Sequence, residues 1–571
     1  VNAWMKLSEN ALEVARSRYF WDNESSWEDL AERISKEVSK LEKDYYKYKE
    51  EYYNALVELD FLPGGRILRN LGKLKPSTSN CNFLPIDDNI ESIAETLKNY
   101  LIISSYGGGT GINFSTLRPK GTPLNTKGGV SSGLVSFIEM FNDAGIRLET
   151  GGQRRAAGIG LCSVTHPEIE DFIAAKVKHD KLTQFNISVI IDDRFLQAVE
   201  NDEDWDLKFA GKVYNTVKAR DLWNNILDNM LKHSEPGIIN WSKLSKNNSY
   251  YFSPIRGCNP CGEVPLGDFE VCNLMSLNLV NFISGRSTNW QKLERSIYLA
   301  IRFLDNIIDL SFYPISNQEN VVKNARRIGL GVMGLGDFLY KKEIRYGSER
   351  SLLEIERLFR FIRDTAYSAS IELAKERGAF PKYDRSEYCR AHFIKKLPAK
   401  IRMQIKEYGI RNCTIVTCPP TGSTSLLPEV SSGIEPIISK AYLRQDGVSN
   451  RIYIHPAYKA VIEEGGDKPE WLVDSFDLKP EDHLEVQTVI NKYVDNAVSK
   501  TINLPKETTV DDLSKLLLEY AFDLRGVTIY RDGTREYQPI TPLKHDEIIK
   551  YLKNSTSTPA EVECKGGACD L

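Results

Sequence analysis

From Phe61 to about Ile540 the chain alternates helical stretches with short β-branched runs such as Ile187–Ile191 and Thr414–Thr417. Parallel strands need crossover connections, so this alternation favours βα units around a parallel sheet, and a closed α/β barrel can hold a segment of that length as one unit. Upstream, Trp27, Leu30, Ile34, Val38 and Leu41 recur at steps of three and four, the stripe of an amphipathic helix. The reading is a helical segment over 1–60, an α/β domain over 61–540 and a flexible tail over 541–571, where a short helix at Asp546–Leu552 precedes a Ser/Thr-rich stretch, Cys564, two glycines and Cys569. No fixed-period repeat is visible. With 41% hydrophobic residues among 571, disorder and collagen are excluded.

Charge narrows the function classes. The 74 Lys and Arg against 78 Asp and Glu leave a net charge of −4, so no broad basic field is available for nucleic acid. No run approaches a membrane span, and the first residues lack a secretion signal, so a cytoplasmic protein without a membrane partner is expected. Its ten cysteines are then expected to be reduced.

The most informative stretch is GCNPCGEVPLGDFEVCNLMSLNL, Gly257 to Leu279. Asn259, Cys261 and Glu263 alternate, and in an extended segment their amide, thiol and carboxylate would share one face. Cys272 follows in the same stretch, and Cys81 stands far upstream in SNCNFLP. Zinc is disfavoured, because no His flanks the Cys258/Cys261 pair or the looser Cys564/Cys569 pair. A thioredoxin-like site is disfavoured by Pro260 inside the CxxC. Inert buried thiols account for Cys162, Cys389, Cys413 and Cys418, but not for a terminal pair in a glycine-rich tail. A tail carrying two thiols suits a buried disulfide that must be reduced once per turnover, since exchange requires contact between sulfurs.

NPCGE followed by VCNLMSLNL, the upstream SNC, the TCPPTGSTS loop and the terminal cysteine pair together resemble the catalytic chains of ribonucleotide reductases. The resemblance implies a ten-stranded α/β barrel, two antiparallel halves of five parallel strands, with a central finger loop. It implies that Cys261 is the thiyl radical that takes the substrate 3′ hydrogen, that Glu263 is the base on the 3′ hydroxyl, and that Asn259 bonds the ribose. Cys81 and Cys272 would be the reducing pair, regenerated by Cys564 and Cys569 and these in turn by thioredoxin or glutaredoxin.

The hydroxyls and free N–H groups of Thr421, Gly422, Ser423, Thr424 and Ser425, after a strand at Ile415–Thr417, suit a phosphate at a helix start, and in the family this loop holds the substrate phosphates. By resemblance, Asp88, Arg118 and Arg154 in GGQRRAAG would contact a deoxynucleotide or ATP effector, and a homodimer is expected. Gly329, Gly331 and Gly334 satisfy GxGxxG, but the preceding KNARRI is basic rather than a buried strand, so close helix packing is the reading. The GGGTG at Gly107–Gly111 is read as permitting a tight strand or turn.

Tyr530 in RGVTIYRDGTREYQP lacks the neighbouring tyrosine of members that use a separate radical subunit, and the wording there and in VDNAVSKTINLP resembles the class II, adenosylcobalamin-dependent members. The expectation is a cobalamin-dependent reductase of ribonucleoside diphosphates or triphosphates with no protein metal ligand. A class I catalytic subunit is the second reading, and a nucleotide-binding regulatory protein with a silent barrel is the third.

Overall fold

The computed structural model describes residues 7–124, 128–148, 157–178, 182–183, 185–446, 449–455, 458–459, 469–531, 540–543 and 547–548. Cys564, Cys569 and Arg154 lie outside the described residues, as does nearly all of the tail.

Three capped helices open the chain. In α1 (Glu9–Arg18) the Ser8 side chain accepts the N–H of Ala11, α2 (Trp27–Val38) starts with a Ser26/Asp29 capping box, and Asp44 caps α3 (Tyr45–Val57). Trp27, Leu30, Ile34 and Val38 are buried as the periodicity predicts. Leu41 is not: a 3-10 turn over Ser39–Leu41 takes it off the stripe and leaves it 43% exposed. The buried faces of these helices share one core with the long helices Trp290–Leu310 and Glu349–Arg377. A buried charge cluster pins the same junction, where Glu42 accepts from Arg302 and Arg377 at 2.8 and 2.9 Å.

Ten staves form the barrel. The first half is β1 (Cys81–Leu84), β2 (Gly109–Asn113), β3 (Ala157–Ser163), β4 (Phe185–Ile191) and β5 (Gly237–Asn240), paired in parallel in that order. The second half is β6 (Val271–Asn278), β7 (Ile328–Met333), β8 (residues 414–418), β9 (Thr501–Leu504) and β10 (Gly526–Arg531). β6 pairs in parallel with β7, and β9 with β10. β8 closes the gap through parallel bridges from Val416 to Leu330 and from Cys418 to Val498. The halves meet antiparallel at two seams, β6 on β1 and β10 on β5. This is the barrel expected from the resemblance. β8 forms bridges rather than a full ladder because the Asp495 carboxylate takes the N–H groups of Ile415 and Val416, at 2.8 and 2.7 Å.

The GxGxxG stretch requires a correction. Ile328–Met333 is a buried strand despite the basic residues before it, so Gly329 and Gly331 lie in a strand, while Gly334 opens the helix Leu335–Lys341 and packs closely on Val430 and Val280 as expected. A Cβ on Gly331 would lie 2.4 Å from Pro419, and one on Gly329 would lie 2.8 Å from Thr417, so they are small to let β8 and its loop come close. Among the described residues no helix is long and apolar enough to cross a membrane.

Candidate active site

Asn259, Cys261 and Glu263 belong to a hairpin that enters the barrel, not to an extended segment. Gly257–Cys258 pairs antiparallel with Pro265–Leu266, and the N–H of Gly262 donates to the Asn259 carbonyl at 2.9 Å to close the tip. Gly262 has φ +78°, which favours glycine there. The three side chains still reach one cavity, but the turn brings them there and not a shared strand face. Both halves of the barrel hold the finger. On one side Gly111 of β2 lies so close that a Cβ there would sit 1.8 Å from the Cys258 carbonyl oxygen. On the other, the Glu263 carbonyl accepts from Ala497 N and Thr417 Oγ1, both at 2.8 Å. The GGGTG stretch thus supplies a turn at Gly107 and a strand thin enough to admit the finger.

The cavity has a volume of about 740 Å³, within the range of small-molecule sites. Cys261 is exposed at the tip, whereas Asn259 and Glu263 are buried below it. Asn259 Nδ2 donates to Cys81 Sγ at 3.2 Å, and Asn259 Oδ1 accepts from Val264 N at 2.8 Å, which fixes the amide orientation. Glu263 Oε2 is buried without a hydrogen-bond partner, and burial raises the carboxyl from 4.5 to about 7. A carboxyl poised near neutrality next to a cavity is suited to exchange a proton with a bound hydroxyl. Cys81 and Cys272 are cross-strand partners at the β1/β6 seam, and burial holds both thiols well above their ordinary range. Cys81 lines the cavity; Cys272 is fully buried behind it.

Thr421, Gly422, Ser423 and Thr424 line the same cavity. Here too the local reading changes. No helix follows; the segment is a run of turns with Thr421 at φ +51°, and the Thr421 hydroxyl accepts from Gly433 N at 2.7 Å. A Cβ on Gly422 would meet nothing within 4 Å, so its backbone is open to a ligand. Ser425 is buried away from the cavity against Ser432, at 3.1 Å between hydroxyls.

Asp88 and Arg118 form their own pair, with Arg118 Nε donating to Asp88 Oδ2 at 2.7 Å and Arg118 N to Asp88 Oδ1 at 3.0 Å. They are not among the residues lining the finger cavity. Cys162, Cys258, Cys413 and Cys418 are buried, and Cys389 is half-buried. Among the described residues no group of three or more His, Cys, Asp or Glu is placed to share a metal ion.

The segment FLPGGRILRN departs from the asparagine and serine version usual in the family, which marks Arg66 in the sequence; two features go beyond that mark. Arg66, Arg69 and Lys73, with Lys75 and Arg18, line the cavity, while among the described residues Glu263 is its only acidic lining residue. Arg66 and Arg69, three residues apart, share one face of the helix Gly65–Asn70, and Lys73 follows in the turn beyond it. The second is Arg327, completely buried in an ion pair with Glu270 at 2.9 Å. No local pattern announces it, because KNARRI looks solvent-facing.

Residues 79–531 match the profile of the ribonucleotide reductase barrel domain, and residues 5–76 that of the ribonucleotide reductase all-alpha domain. A vitamin B12-dependent ribonucleoside-diphosphate reductase of Thermoplasma acidophilum is 34% identical across 92% of this chain and 72% of its own length. One from Mycobacterium tuberculosis is 32% identical across 99% of this chain and 85% of its own. A ribonucleoside-diphosphate reductase subunit alpha of Chlamydia trachomatis is 27% identical across 78% of this chain and 48% of its own.

Proposed function

The chain belongs to the ribonucleotide reductase family, and from that premise we propose that it is a class II, adenosylcobalamin-dependent enzyme that converts ribonucleotides, taken as diphosphates, into 2′-deoxyribonucleotides. The observation that carries the reading is the finger hairpin, which presents Cys261 at its tip above Asn259, Glu263 and Cys81 in one cavity.

Each group has a task suited to its setting. Cys261 is the sulfur that exchanges hydrogen with the ribose 3′ carbon; it is the exposed member of the set. Glu263 takes the 3′ hydroxyl proton through its unpartnered oxygen. Asn259 holds the Cys81 sulfur and offers its amide to the ribose. As the 2′ carbon–oxygen bond breaks and water leaves, Cys81 and Cys272 supply two protons and two electrons and become a disulfide. Thr421 to Thr424 and the wall of Arg66, Arg69 and Lys73 balance the phosphate charge.

Beside Cys261 the cavity is walled by Gly107, Gly109 and Ala157, and a Cβ on Gly109 would lie 2.9 Å from Pro260. Tyr106, Gly107, Gly109 and Ala157 are the lining residues that would hold the cofactor. When bound, adenosylcobalamin supplies an organic radical able to take the hydrogen atom of Cys261.

The reading extends to a helical segment at 1–60, the barrel domain at 61–540 and a tail at 541–571. In it Cys564 and Cys569 reduce the buried pair and are reduced by thioredoxin or glutaredoxin. A deoxynucleotide or ATP effector sits at Asp88, Arg118 and Arg154, two copies pair as a homodimer, and the compartment is the cytoplasm. The Asp88–Arg118 pairing supports the effector site by setting a ribose acceptor beside a phosphate donor.

The deciding assay combines purified protein, effector, CDP or CTP, dithiothreitol and adenosylcobalamin. Deoxynucleotide formation that requires the cobalamin is expected. Turnover only after adding a radical-generating subunit would select the class I reading, and nucleotide binding without turnover a regulatory protein.

A further inference from the structure

The buried pair Arg327–Glu270 lies beside the Cys81/Cys272 pair and has no part in the chemistry above. β6 and β7 run in parallel with Asn273 opposite Ile328, so one step earlier Cys272 and Arg327 are neighbours on the same face. Gly329, two residues on and on that face too, confirms the direction: a Cβ there would lie 3.1 Å from Cys272 Sγ. Glu270 stands two residues before Cys272 and therefore on the same side. The Arg327 guanidinium bonds Thr414 Oγ1 at 3.0 Å and pairs with Glu270, but its Nε–H, though buried, has no acceptor. A fully buried cation with an unspent donor is costly unless something anionic comes to it.

The two sulfurs differ in access. Cys81 opens on the cavity; Cys272 is at 0% exposure and does not line it. An incoming thiol can therefore reach Cys81 and not Cys272. Taking Cys81 and Cys272 as the redox pair of the proposed function, we propose that Arg327 is a positioning residue for thiol exchange, its guanidinium making Cys272 the leaving thiolate when a reductant thiolate attacks Cys81.

The step balances. The incoming sulfur bonds to Cys81 Sγ, the Cys81–Cys272 bond breaks, and its electron pair passes to Cys272 Sγ. The second thiol of the dithiol reductant then displaces Cys81 in the same way, leaving the reductant as a disulfide and both cysteines reduced. Exchange is faster when the leaving thiol has the lower pKa. The groups facing Cys272 are Arg327 from just before β7, Glu263 from the finger, the Cys413 thiol from the segment before β8, and Glu270 from its own side of the seam. Of these Arg327 acts most strongly and alone favours the thiolate, whereas at Cys81 the strongest charge is the Glu263 carboxylate, which opposes it.

The test uses the full chain, oxidised and then exposed to a brief pulse of a small monothiol, 2-mercaptoethanol, quenched with acid and mapped by peptide mass spectrometry. The expected adduct is on Cys81 with Cys272 free. In Arg327→Gln the exchange rate at pH 7.5 falls at least tenfold while the pH–rate midpoint, set by the attacking thiol, stays in place, and Arg327→Lys restores most of the rate. An adduct on Cys272, or an Arg327→Gln variant with native circular dichroism and an unchanged exchange rate, overturns the inference while leaving the redox pair intact. If Arg327→Gln does not fold, Glu270→Gln, which removes the anion that offsets Arg327 at Cys272, should quicken the exchange, and an unchanged rate with native circular dichroism overturns the inference. An oxidised chain with no Cys81–Cys272 disulfide overturns the redox-pair reading, and this inference with it.

Discussion

Cys81 on β1 and Cys272 on β6 are directly opposed across the antiparallel seam that joins the two halves of the barrel. Directly opposed residues of an antiparallel pair lie about 4.5–5.5 Å apart at Cα, inside the roughly 4.4–6.8 Å that a disulfide spans. The seam can therefore alternate between two thiols and one bond without moving a strand. Mild oxidation should link these two cysteines, seen by peptide mapping, with near-native circular dichroism. Loss of the barrel signal on oxidation would contradict a pre-formed redox pair.

Cys261 sits exposed at the tip of a hairpin held by its backbone. Cys261→Ser should leave stability within about 0.5 kcal/mol, because an exposed isosteric change removes no packing. The same variant should lose all turnover, since an alcohol O–H is too strong to exchange hydrogen with a ribose carbon. Denaturant melts and deoxynucleotide assays, run on one preparation, check both halves.

Glu263 makes function and stability pull in opposite directions. Burial raises its carboxyl from 4.5 to about 7, so the folded chain holds a proton that the unfolded chain releases earlier. Its contribution is fully present below pH ~4.5 and lost as pH rises through ~7, a cost of up to ~3 kcal/mol at pH 8. Glu263→Gln should therefore be more stable than the parent at pH 8 and about equal at pH 4.5, while activity falls by roughly 10²–10⁴-fold for want of the base. In the parent, turnover should rise with pH through about 7. Urea midpoints at the two pH values give the sign directly.

Gly111 is the clearance for the finger. A Cβ there meets the Cys258 carbonyl at 1.8 Å, and backbone cannot swing aside as a side chain can. Gly111→Ala should displace Cys261 and lower turnover by about 10²-fold or more at a stability cost of roughly 1–3 kcal/mol. Native stability with full activity would show that the hairpin is not wedged against β2.

The cationic wall predicts a binding effect separable from chemistry. Lys73 is held below its ordinary value by burial and by Arg69, Arg33 and Arg66, the mark of crowded positive charge awaiting an anion. Lys73→Gln should raise KM for the nucleotide roughly 3–10-fold, about 1 kcal/mol, with kcat nearly unchanged and a weaker dependence on salt. Steady-state kinetics at two ionic strengths distinguish this from a catalytic role, which would lower kcat.

Much of the site was legible locally. Alternating helix and β-branched periods specify a parallel α/β sheet, and NPCGE, VCNL and SNC name the thiols, the carboxylate and the amide, because period and residue chemistry are short-range properties of the chain. Local reasoning failed where the answer was long-range. Asn259 to Glu263 is a turn because both barrel halves clamp it, and 414–418 carries bridges because Asp495 takes its N–H groups. Thr421 to Ser425 starts no helix, and of the glycines after KNARRI, Gly329 and Gly331 thin a strand while only Gly334 seats a helix.

The sequence by itself determined the kinds of groups available and the order of elements that carries them. Only the tertiary structure decided which sulfur faces the cavity and which lies behind it, how far Glu263 is moved toward neutrality, and that Arg327 stands buried next to Cys272. The reason is physical: access, desolvation and the field of a buried ion are set by neighbours far away in the chain, and exist only once the barrel has closed.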